Sequence, residues 1–173
     1  MRIIVFSDTH RNMNAMKKIF ERNKDVGVFI FLGDGEWELR EIKNLYPDKK
    51  VLSVKGNCDS SNDSPLIGTF CFENTKIIYT HGHKYNVKYT TDNLYHLAKE
   101  NNAQIVCFGH SHRRYNGFQD GVHILNPGSA SQPRDYKPPS YAFIDITESG
   151  IICSHVDLEK PHNLDDLFNF DLF

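Results

Sequence analysis

The sequence lacks the features of a membrane or secreted protein. Among its 173 residues, no apolar run approaches the roughly 20 residues that span a bilayer. The first segment turns polar at Ser7, which is too early for a secretory signal. The four cysteines form no Cys-x-x-Cys pair and most lie in apolar stretches, which favours buried, reduced thiols over a disulfide framework. We therefore expect a cytoplasmic protein without a membrane partner.

The chain also lacks a large excess of charge of either sign. Its formal charge of −2 gives no basic face of the kind that binds nucleic acid. With 39% hydrophobic and 24% charged residues, the composition is typical of a soluble globular protein. No internal repeat, low-complexity tract or long linker divides it. We therefore predict one domain over residues 1–173, in which residues 159–173 form a C-terminal tail.

The first 57 residues alternate between strand and helix patterns. Short apolar runs predict strands over residues 3–6, 26–32 and 51–54. Between them, Asn12 is placed to cap a helix with apolar residues at helical spacing, and residues 37–46 predict a second helix that Pro47 ends. This order is typical of a parallel sheet with crossover helices, so the expected fold class is α/β.

The remainder of the chain is richer in strand patterns. Residues 69–72 and 77–80 flank Asn74-Thr75, which resembles a hairpin turn, and residues 105–108 form another apolar run. A helix is predicted over residues 90–101. The segments 122–125, 141–146 and 151–156 look like antiparallel strands separated by Gly and Pro. In the tail, residues 164–173 have the apolar spacing of a short amphipathic helix.

Five of the predicted strands end in polar residues that can bind metal ions. These ends are Ser7-Asp8-Thr9-His10, Gly33-Asp34, Gly56-Asn57, His81-Gly82-His83 and Gly109-His110-Ser111-His112. Because ligands of open α/β sheets bind beyond the carboxyl ends of the strands, we expect these segments to meet. Side chains two apart in an extended chain point the same way, so Asp8 and His10 are expected to face one site, as are His110 and His112. Each piece alone also occurs in ordinary turns, and the signal lies in the five together.

The candidate metal ligands are four imidazoles, two carboxylates and one amide: Asp8, His10, Asp34, Asn57, His81, His110 and His112. Nitrogen and oxygen ligands without a thiolate suit Mn²⁺, Fe or Zn²⁺, with Mn²⁺ expected first and Ni²⁺ as a further alternative. This set is too large for one catalytic ion with an open position, so two divalent ions that share a carboxylate are predicted. With the two carboxylates they leave a net charge of about +2, which favours a small phosphate ester as the substrate.

Taken together, these motifs resemble the calcineurin-like metallophosphoesterase superfamily. Within it they are most similar to the small bacterial and archaeal phosphodiesterase subfamily, to which the retromer scaffold subunit is related. The resemblance covers residues 1 to about 156. It implies a four-layer α-β-β-α sandwich of two mixed β-sheets flanked by helices, and hydrolysis by in-line attack of a hydroxide that bridges two ions. Matched motif by motif, it assigns Asp8, His10 and His112 to one metal, Asn57, His81 and His110 to the other, and Asp34 to both.

The candidate catalytic residues besides the metal ligand Asn57 are Cys58, Asp59 and His83. Many members of the superfamily have a histidine at the position of Cys58, thought to protonate the leaving group or bind the phosphate. A thiol with a pKa of about 8.5 is a poorer proton donor at neutral pH than an imidazole with a pKa of about 6.5. His83 is the nearest alternative donor, or forms a structural hydrogen bond. Asp59 either orients Asn57 or His83, or is a plain turn residue.

Three further residues are candidates for contact with the substrate. Arg11 stands where the subfamily often has glycine, and it either reaches the phosphate or lies in solvent at the start of a helix. Ser129 ends the segment Asn126-Pro127-Gly128-Ser129, which matches a loop of the subfamily. This segment, with Arg134 after it, is either a wall of the substrate pocket or an ordinary Pro-Gly turn.

The function expected from the sequence is that of a metal-dependent phosphoesterase, more specifically a phosphodiesterase. The alternative is a non-catalytic protein-interaction scaffold on the same fold, but such a scaffold has no need of the complete set of ligands. A nuclease is disfavoured because the chain has no basic face and no added capping domain. The Phe-rich tail either packs on the domain or, if it is exposed, serves as the contact surface of a homo-oligomer.

Overall fold

The computed structural model of the protein describes residues 1–159. In chain order its elements are β1 (Arg2–Phe6), α1 (Met13–Arg22), β2 (Val28–Phe31), α2 (Glu36–Leu45), β3 (Lys50–Ser53), β4 (Ile67–Phe72), β5 (Thr75–Thr80), α3 (Asp92–Glu100), β6 (Ile105–Cys107), β7 (Arg114–Gln119), β8 (Val122–Pro127), β9 (Ser140–Thr147) and β10 (Gly150–Asp157).

The strands form two mixed sheets of five strands each. The first sheet has the order β10-β9-β1-β2-β3, in which β1, β2 and β3 are parallel and β9 and β10 are antiparallel to their neighbours. The second has the order β4-β5-β6-β8-β7, in which β5, β6 and β8 are parallel and the edge strands β4 and β7 are antiparallel. Each sheet therefore has a parallel centre whose strands carry their carboxyl ends to the same edge.

The buried residues divide into three layers. Ile3 and Val5 of β1 belong to a cluster between the two sheets, together with Ile77 of β5. The alternate residues Ile4 and Phe6 face the opposite side, where they belong to the cluster of α1 and α2, because successive side chains of a strand point to opposite faces. A third cluster lies under α3 on the outer face of the second sheet. The α-β-β-α sandwich expected from the sequence is thus confirmed.

The first helix forms as the sequence predicts. The Asn12 side chain accepts a hydrogen bond from the Ala15 backbone N–H at 3.0 Å, which satisfies one of the free donors of the first turn. Met16, Ile19 and Phe20 lie on the buried face. Helix α3 is shorter than the predicted 90–101, since Thr90 and Thr91 precede it and the helix ends at Glu100.

The second sheet differs from the sequence-based expectation in two respects. Strand β7 was not expected, because its sequence Arg-Tyr-Asn-Gly-Phe-Gln has no apolar run and its residues are largely exposed, as an edge strand permits. The segment 122–125 was expected to be antiparallel, but β8 pairs with β6 in parallel and is antiparallel only to β7. The hairpin of β7 and β8 supplies the antiparallel edge that the sequence pattern missed.

The predictions for the tail lie outside the described residues, apart from Glu159 at its start. Within residues 1–159, no helix is both long and apolar enough to cross a bilayer.

Candidate metal centre

The candidate ligands come from loops at one edge of the sandwich, and both sheets contribute. Asp8 and His10 follow β1, Asp34 follows β2, and Asn57 lies in the loop after β3. His81 follows β5. The loops are joined by backbone hydrogen bonds from Asp8 N–H to the Gly33 carbonyl and from His10 N–H to the Asp34 carbonyl, both 3.0 Å. Loops from distant parts of the chain are therefore held in a fixed relation to one another.

The local conformation of these loops differs from the prediction. Asp8, His10, Asp34, His110 and His112 all have positive φ angles, between 43° and 64°, and are not extended. For residues other than glycine this conformation costs of the order of 1 kcal/mol each and persists only where surrounding contacts impose it. The expectation that His110 and His112 face one site because the chain is extended is consequently wrong in its mechanism, and their rings have different neighbours.

One group of ligand atoms consists of Asp8, His10 and His112. The Asp8 Oδ1 atom lies 3.2 Å from His112 Nε2 and 3.9 Å from His10 Nε2. The two imidazole Nε2 atoms are 3.1 Å apart. The three ligand atoms are all within 4.8 Å of one another, which is compact enough for one shared cation.

A second group surrounds Asp34. Its Oδ2 atom lies 3.4 Å from His81 Nε2 and 3.8 Å from His10 Nε2, so the carboxylate faces ligands of both groups. The Asn57 side-chain oxygen is 3.1 Å from the same His81 Nε2. Asp8, Asp34 and His81 also form a compact set of potential ligands. This position between the two groups is the one expected of a bridging carboxylate.

His110 lies at the margin of the cluster. Its ring centroid is 5.1 Å from that of His81, and its backbone N–H donates to Asp8 Oδ2 at 3.1 Å. None of the compact groups of potential ligand atoms includes it. Burial, followed by the charges of His81 and Lys88, lowers the pKa of His110 to about 4, so its imidazole is neutral and available as a ligand at physiological pH.

The chemistry of this donor set fits divalent cations. Asp8 Oδ1 is buried and has no hydrogen-bond partner, although the Nε2 atoms of His10 and His112 lie within 4 Å of it. The Nδ1 atoms of His81 and His112 contact the carbonyl oxygens of Leu32 and Gln132, each at 2.7 Å. Such contacts fix the ring orientation and leave Nε2 free to bind a metal, as is usual for metal-binding histidines. Imidazole nitrogens and an unpartnered carboxylate oxygen thus point to a common position.

Asp34 is kept in its charged form. Burial by itself would raise the pKa of Asp34, but the hydrogen bond and charge of His81, together with the Cys58 backbone N–H, outweigh it and hold that pKa below its ordinary value. The Cys58 N–H donates to Asp34 Oδ1 at 2.8 Å, which leaves Oδ2 facing the imidazoles. The carboxylate is therefore oriented before any cation arrives.

Asp59 connects two loops of the candidate site through backbone hydrogen bonds. Its two carboxylate oxygens accept backbone N–H groups of Asp34, Gly35, Glu36 and Gly56 at 2.7 to 3.1 Å. It contacts neither the Asn57 side chain nor His83 by hydrogen bond. Asp59 thus joins the loop after β2 to the loop after β3 and occupies the amino end of α2, where a negative charge is favourable.

Cys58 and His83 differ in their surroundings. Cys58 is exposed beside Asp34, and its Sγ receives a 3.2 Å contact from the Asn57 amide. Desolvation and the neighbouring Asp34 raise the pKa of Cys58 to about 11, so the thiol is a weak acid. His83 is half-buried, with its ring 5.4 Å from that of His81, and burial lowers its pKa. The His83 Nδ1 atom is buried without a hydrogen-bond partner.

The three residues that are candidates for substrate contact differ in their surroundings. Arg11 is exposed and lines a cavity of about 470 Å³ next to His10. Ser129 is fully buried, and its hydroxyl donates to the Asp8 carbonyl at 2.8 Å, so it positions the β1 loop and is not accessible to a substrate. The Arg134 backbone N–H donates to the His112 carbonyl at 2.9 Å. Of the three, Arg11 is the one that lines this cavity beside the candidate ligand His10.

Sequence reasoning missed two buried residues that support the site. Glu38 lies on the buried face of α2, where its carboxylate accepts the Thr9 hydroxyl at 2.9 Å and the Arg11 backbone N–H. The Asn126 amide donates to the Gly109 carbonyl and to Ser111 Oγ, both at 3.0 Å. Glu38 could have been found from the sequence, because it is an acidic residue on the face of α2 that is otherwise apolar. Buried carboxylates are rare unless they have partners.

Gly56 and Gly109 are required by close packing around the carboxylates. A Cβ atom at Gly56 would lie 2.0 Å from Asp34 Oδ1, and one at Gly109 would lie 2.1 Å from Ser7 Oγ and 2.9 Å from Asp8 Oδ2. The glycines that adjoin the predicted ligands thus allow the backbone to approach the candidate metal-binding side chains.

Curated relatives match most of the chain. It is 32% identical over 170 residues to the probable metallophosphoesterase YsnB of Bacillus subtilis, covering 98% of both chains. It is 25% identical over 168 residues to the phosphodiesterase YfcE of Escherichia coli, covering 84% of this chain and 88% of that one.

Two solved structures share the fold. A crystal structure of a conserved uncharacterized protein of Streptococcus pneumoniae, described as a "predicted phosphoesterase", has a TM-score of 0.80 and 31% identity, covering 91% of this chain and 90% of that one. A Vps29 variant of Entamoeba histolytica has a TM-score of 0.70 at 20% identity, covering 91% and 99%, and shows the fold alone.

The model of the calcineurin-like phosphoesterase superfamily domain matches residues 1–149, which contain every candidate ligand and nine of the ten strands. Since that match covers most of the chain and agrees with the motifs, the sandwich and the clustered carboxylates and imidazoles, the protein belongs to the calcineurin-like phosphoesterase superfamily.

Proposed function

We propose that this protein is a phosphodiesterase that hydrolyses a small phosphate ester with the help of two divalent metal ions. The observation that carries the proposal is the position of Asp34, whose Oδ2 lies within 4 Å of imidazole nitrogens on both sides, with the unpartnered Asp8 Oδ1 nearby. The names of the two relatives described above, a probable metallophosphoesterase and a phosphodiesterase, agree with this proposal.

We propose the division of ligands between the two ions that the family resemblance implies. Asp8, His10 and His112 would hold one ion, and Asn57 and His81 with His110 at the margin would hold the other, while Asp34 would contact both. When bound, divalent ions supply positive charge to a phosphate and bring the pKa of water toward neutrality. Imidazole, amide and carboxylate ligands are compatible with Mn²⁺, which we propose as the preferred ion, with Fe, Zn²⁺ and Ni²⁺ as the competing ones.

The protein groups around this centre favour diesters with good leaving groups. The Cys58 thiol has a pKa of about 11 and is a poor proton donor to an alkoxide leaving group. Burial lowers the pKa of His83, so its imidazole is mainly neutral at pH 7. A neutral imidazole is a weak acid and is a poor proton donor to the leaving group. The Arg11 guanidinium forms no hydrogen bond or ion pair within residues 1–159 and is free to contact the phosphate.

A reduced, cytoplasmic environment accords with the thiols. The described residues contain four free cysteines, of which Cys107 is fully buried in the core between the sheets. Proteins of oxidising compartments usually pair such thiols as disulfides. We therefore propose a cytoplasmic enzyme with a small-molecule substrate.

The competing proposal is a protein-interaction scaffold, which the fold shared with Vps29 raises. A scaffold requires no compact cluster of carboxylates and imidazoles, and the strained backbone of those residues would serve no purpose in it. The complete cluster therefore favours catalysis.

Hydrolysis by the purified protein is the direct test. Protein loaded with Mn²⁺ is expected to hydrolyse bis-p-nitrophenyl phosphate, and a chelator is expected to abolish the reaction. His112→Ala should lose the activity, whereas His96→Ala, which removes an exposed histidine of α3, should retain it. A metal-loaded protein that hydrolyses neither diesters nor monoesters over a broad pH range would remove the proposed activity and leave the scaffold.

A further inference from the structure

Trp37 is an exposed aromatic residue without a structural role. It is the only tryptophan of the chain and is 54% exposed. It occupies the first turn of α2, whose buried face consists of Glu38, Leu39 and Ile42. Within residues 1–159 its indole has neither a stacked ring nor a cation above it. Apart from Leu45 at its carboxyl end, the other exposed residues of the helix are polar, and ring packing gives no reason for an aromatic side chain at position 37.

Two adjoining cavities share Trp37 as a wall, and both reach the metal centre. One of about 470 Å³ is also bounded by His10, Arg11 and residues at the start of α1. The other, of about 360 Å³, is bounded by Arg11, Asp34 and Cys58 as well. Both sizes lie within the range typical of small-molecule sites. A ligand whose phosphate lies at the carboxylate and imidazole cluster would therefore place its nearest substituent against the indole.

Apart from Met13, the other side chains of the larger cavity are polar. The amides of Asn14 and Gln132 line it, and neither side chain forms a hydrogen bond with any described residue. Free amides can donate to and accept from the edge of a base, as they do in nucleic-acid recognition. The Arg11 guanidinium supplies a cation for the phosphate. A flat apolar face, free amides and a cation thus lie around one cavity.

We propose that Trp37 is a stacking platform for the nucleobase of a nucleotide ester, so that the substrates of the proposed phosphodiesterase carry a nucleoside. The inference rests on the proposed function, because it assumes that the phosphate binds at the metal centre. A sugar or glycerol ester has no π-face to set against the indole. A lipid would need a longer apolar surface than one indole among amides provides. Stacking accepts any base and gives no preference among them.

Binding of two matched phosphates by the metal-loaded protein tests the platform. Adenosine 5′-monophosphate and ribose 5-phosphate share the sugar and the phosphate and differ in the base. Calorimetry is expected to show that the nucleotide binds about 10-fold more tightly, in line with stacking energies per base. Because Trp37 is the only tryptophan, the fluorescence change on adding the nucleotide reports on this side chain directly.

Variants separate stacking from general effects on the site. Trp37→Ala is expected to bind the two phosphates equally, through an approximately 10-fold loss of affinity for the nucleotide alone. Trp37→Phe should keep part of the preference, and both replacements are at an exposed position that the fold does not depend on. Phe118→Ala is the matched control, because Phe118 is 66% exposed on β7 at the end of the second sheet opposite the metal centre.

The outcomes distinguish the platform from the proposed activity. Equal affinities of the unaltered protein for the two phosphates, or a preference that survives in Trp37→Ala, would overturn the platform. If chelator-sensitive hydrolysis of bis-p-nitrophenyl phosphate accompanied that result, the platform alone would be wrong. A preference for the nucleotide in a protein that hydrolyses no ester would support the platform and remove the activity.

Discussion

Replacement of Asp34 by asparagine gives the sharpest test of the metal centre. Asp34 Oδ2 faces His10 and His81 at 3.8 and 3.4 Å, so a single carboxylate serves both proposed ions. The amide is nearly isosteric, and its single oxygen can replace Oδ2 toward the proposed ions when the amide nitrogen takes the position of Oδ1, which gives up the 2.8 Å hydrogen bond from the Cys58 N–H. The variant therefore removes one negative charge and one hydrogen bond from the centre.

The expected loss of affinity follows from the charge. Two unit charges about 4 Å apart interact with about 4 kcal/mol at an effective dielectric constant near 20, and a divalent ion doubles this to about 8 kcal/mol. An amide oxygen recovers part of the interaction as a neutral ligand. If it recovers half, about 4 kcal/mol is lost per ion, which corresponds to roughly a thousandfold weaker binding.

Elemental analysis after dialysis against a low metal concentration measures this loss. The unaltered protein is expected to retain two ions per chain, and Asp34→Asn is expected to retain neither. Asp25→Asn is the control, because Asp25 is an exposed carboxylate whose side chain has no hydrogen bond or ion pair within the described part of the chain. Full occupancy of both positions in Asp34→Asn would refute the shared carboxylate, and the loss of one ion alone would assign Asp34 to that ion.

Two further predictions concern the leaving group and the N-terminal strand. Cys58→His replaces a thiol of pKa about 11 with an imidazole, so the ratio of monoester to diester hydrolysis should rise by about tenfold or more; an unchanged ratio would exclude position 58 from leaving-group protonation. Asp145→Asn breaks the paired contacts of 2.7 and 2.6 Å from Arg2, which hold the pKa of Asp145 below its ordinary value of 3.8. Because that pKa is lowered in the folded state, the stabilisation exists above pH 3.8 and is lost as the pH falls below it. Urea unfolding should show the variant about 0.5 to 1 kcal/mol less stable at pH 7, with the difference shrinking toward pH 3; a difference that does not depend on pH would contradict the ion pair.

The sequence was sufficient to predict which segments meet. Asp8 and Asp34 each follow a buried strand, and in a parallel sheet the ends of such strands share an edge. That rule depends on strand direction alone, which the alternation of strand and helix reveals. The clustering of ligands from chain positions more than a hundred residues apart could therefore be expected before the structure.

The conformation within each loop could not be predicted in the same way. Positive φ at Asp8 and His112 is imposed by contacts with other loops, such as those of Ser129 and Gln132, and has no local signature. The buried role of Ser129 was missed for the same reason. A Pro-Gly turn indicates where the chain reverses but gives no information on what its serine contacts.

Edge strand β7 could not be predicted from the alternation of hydrophobic and polar residues. Its neighbour β8 is buried and was predicted, whereas Tyr115 and Phe118 of β7 are exposed and are separated by polar residues and glycine. The strand exists because β8 offers it hydrogen bonds, an interaction of the backbone to which side-chain patterns are insensitive.

Because the proposed ligands come from both sheets, the availability of the metal is expected to affect the stability of the folded protein. Asp8 and Asp34 belong to one sheet and His81 and His112 to the other, so a cation bound by all of them would act as a cross-link at the open end of the sandwich. Any ion that binds the folded chain and not the unfolded one shifts the balance toward folding by mass action. A cell short of the metal would therefore hold a protein that is not merely idle but also more readily unfolded and degraded.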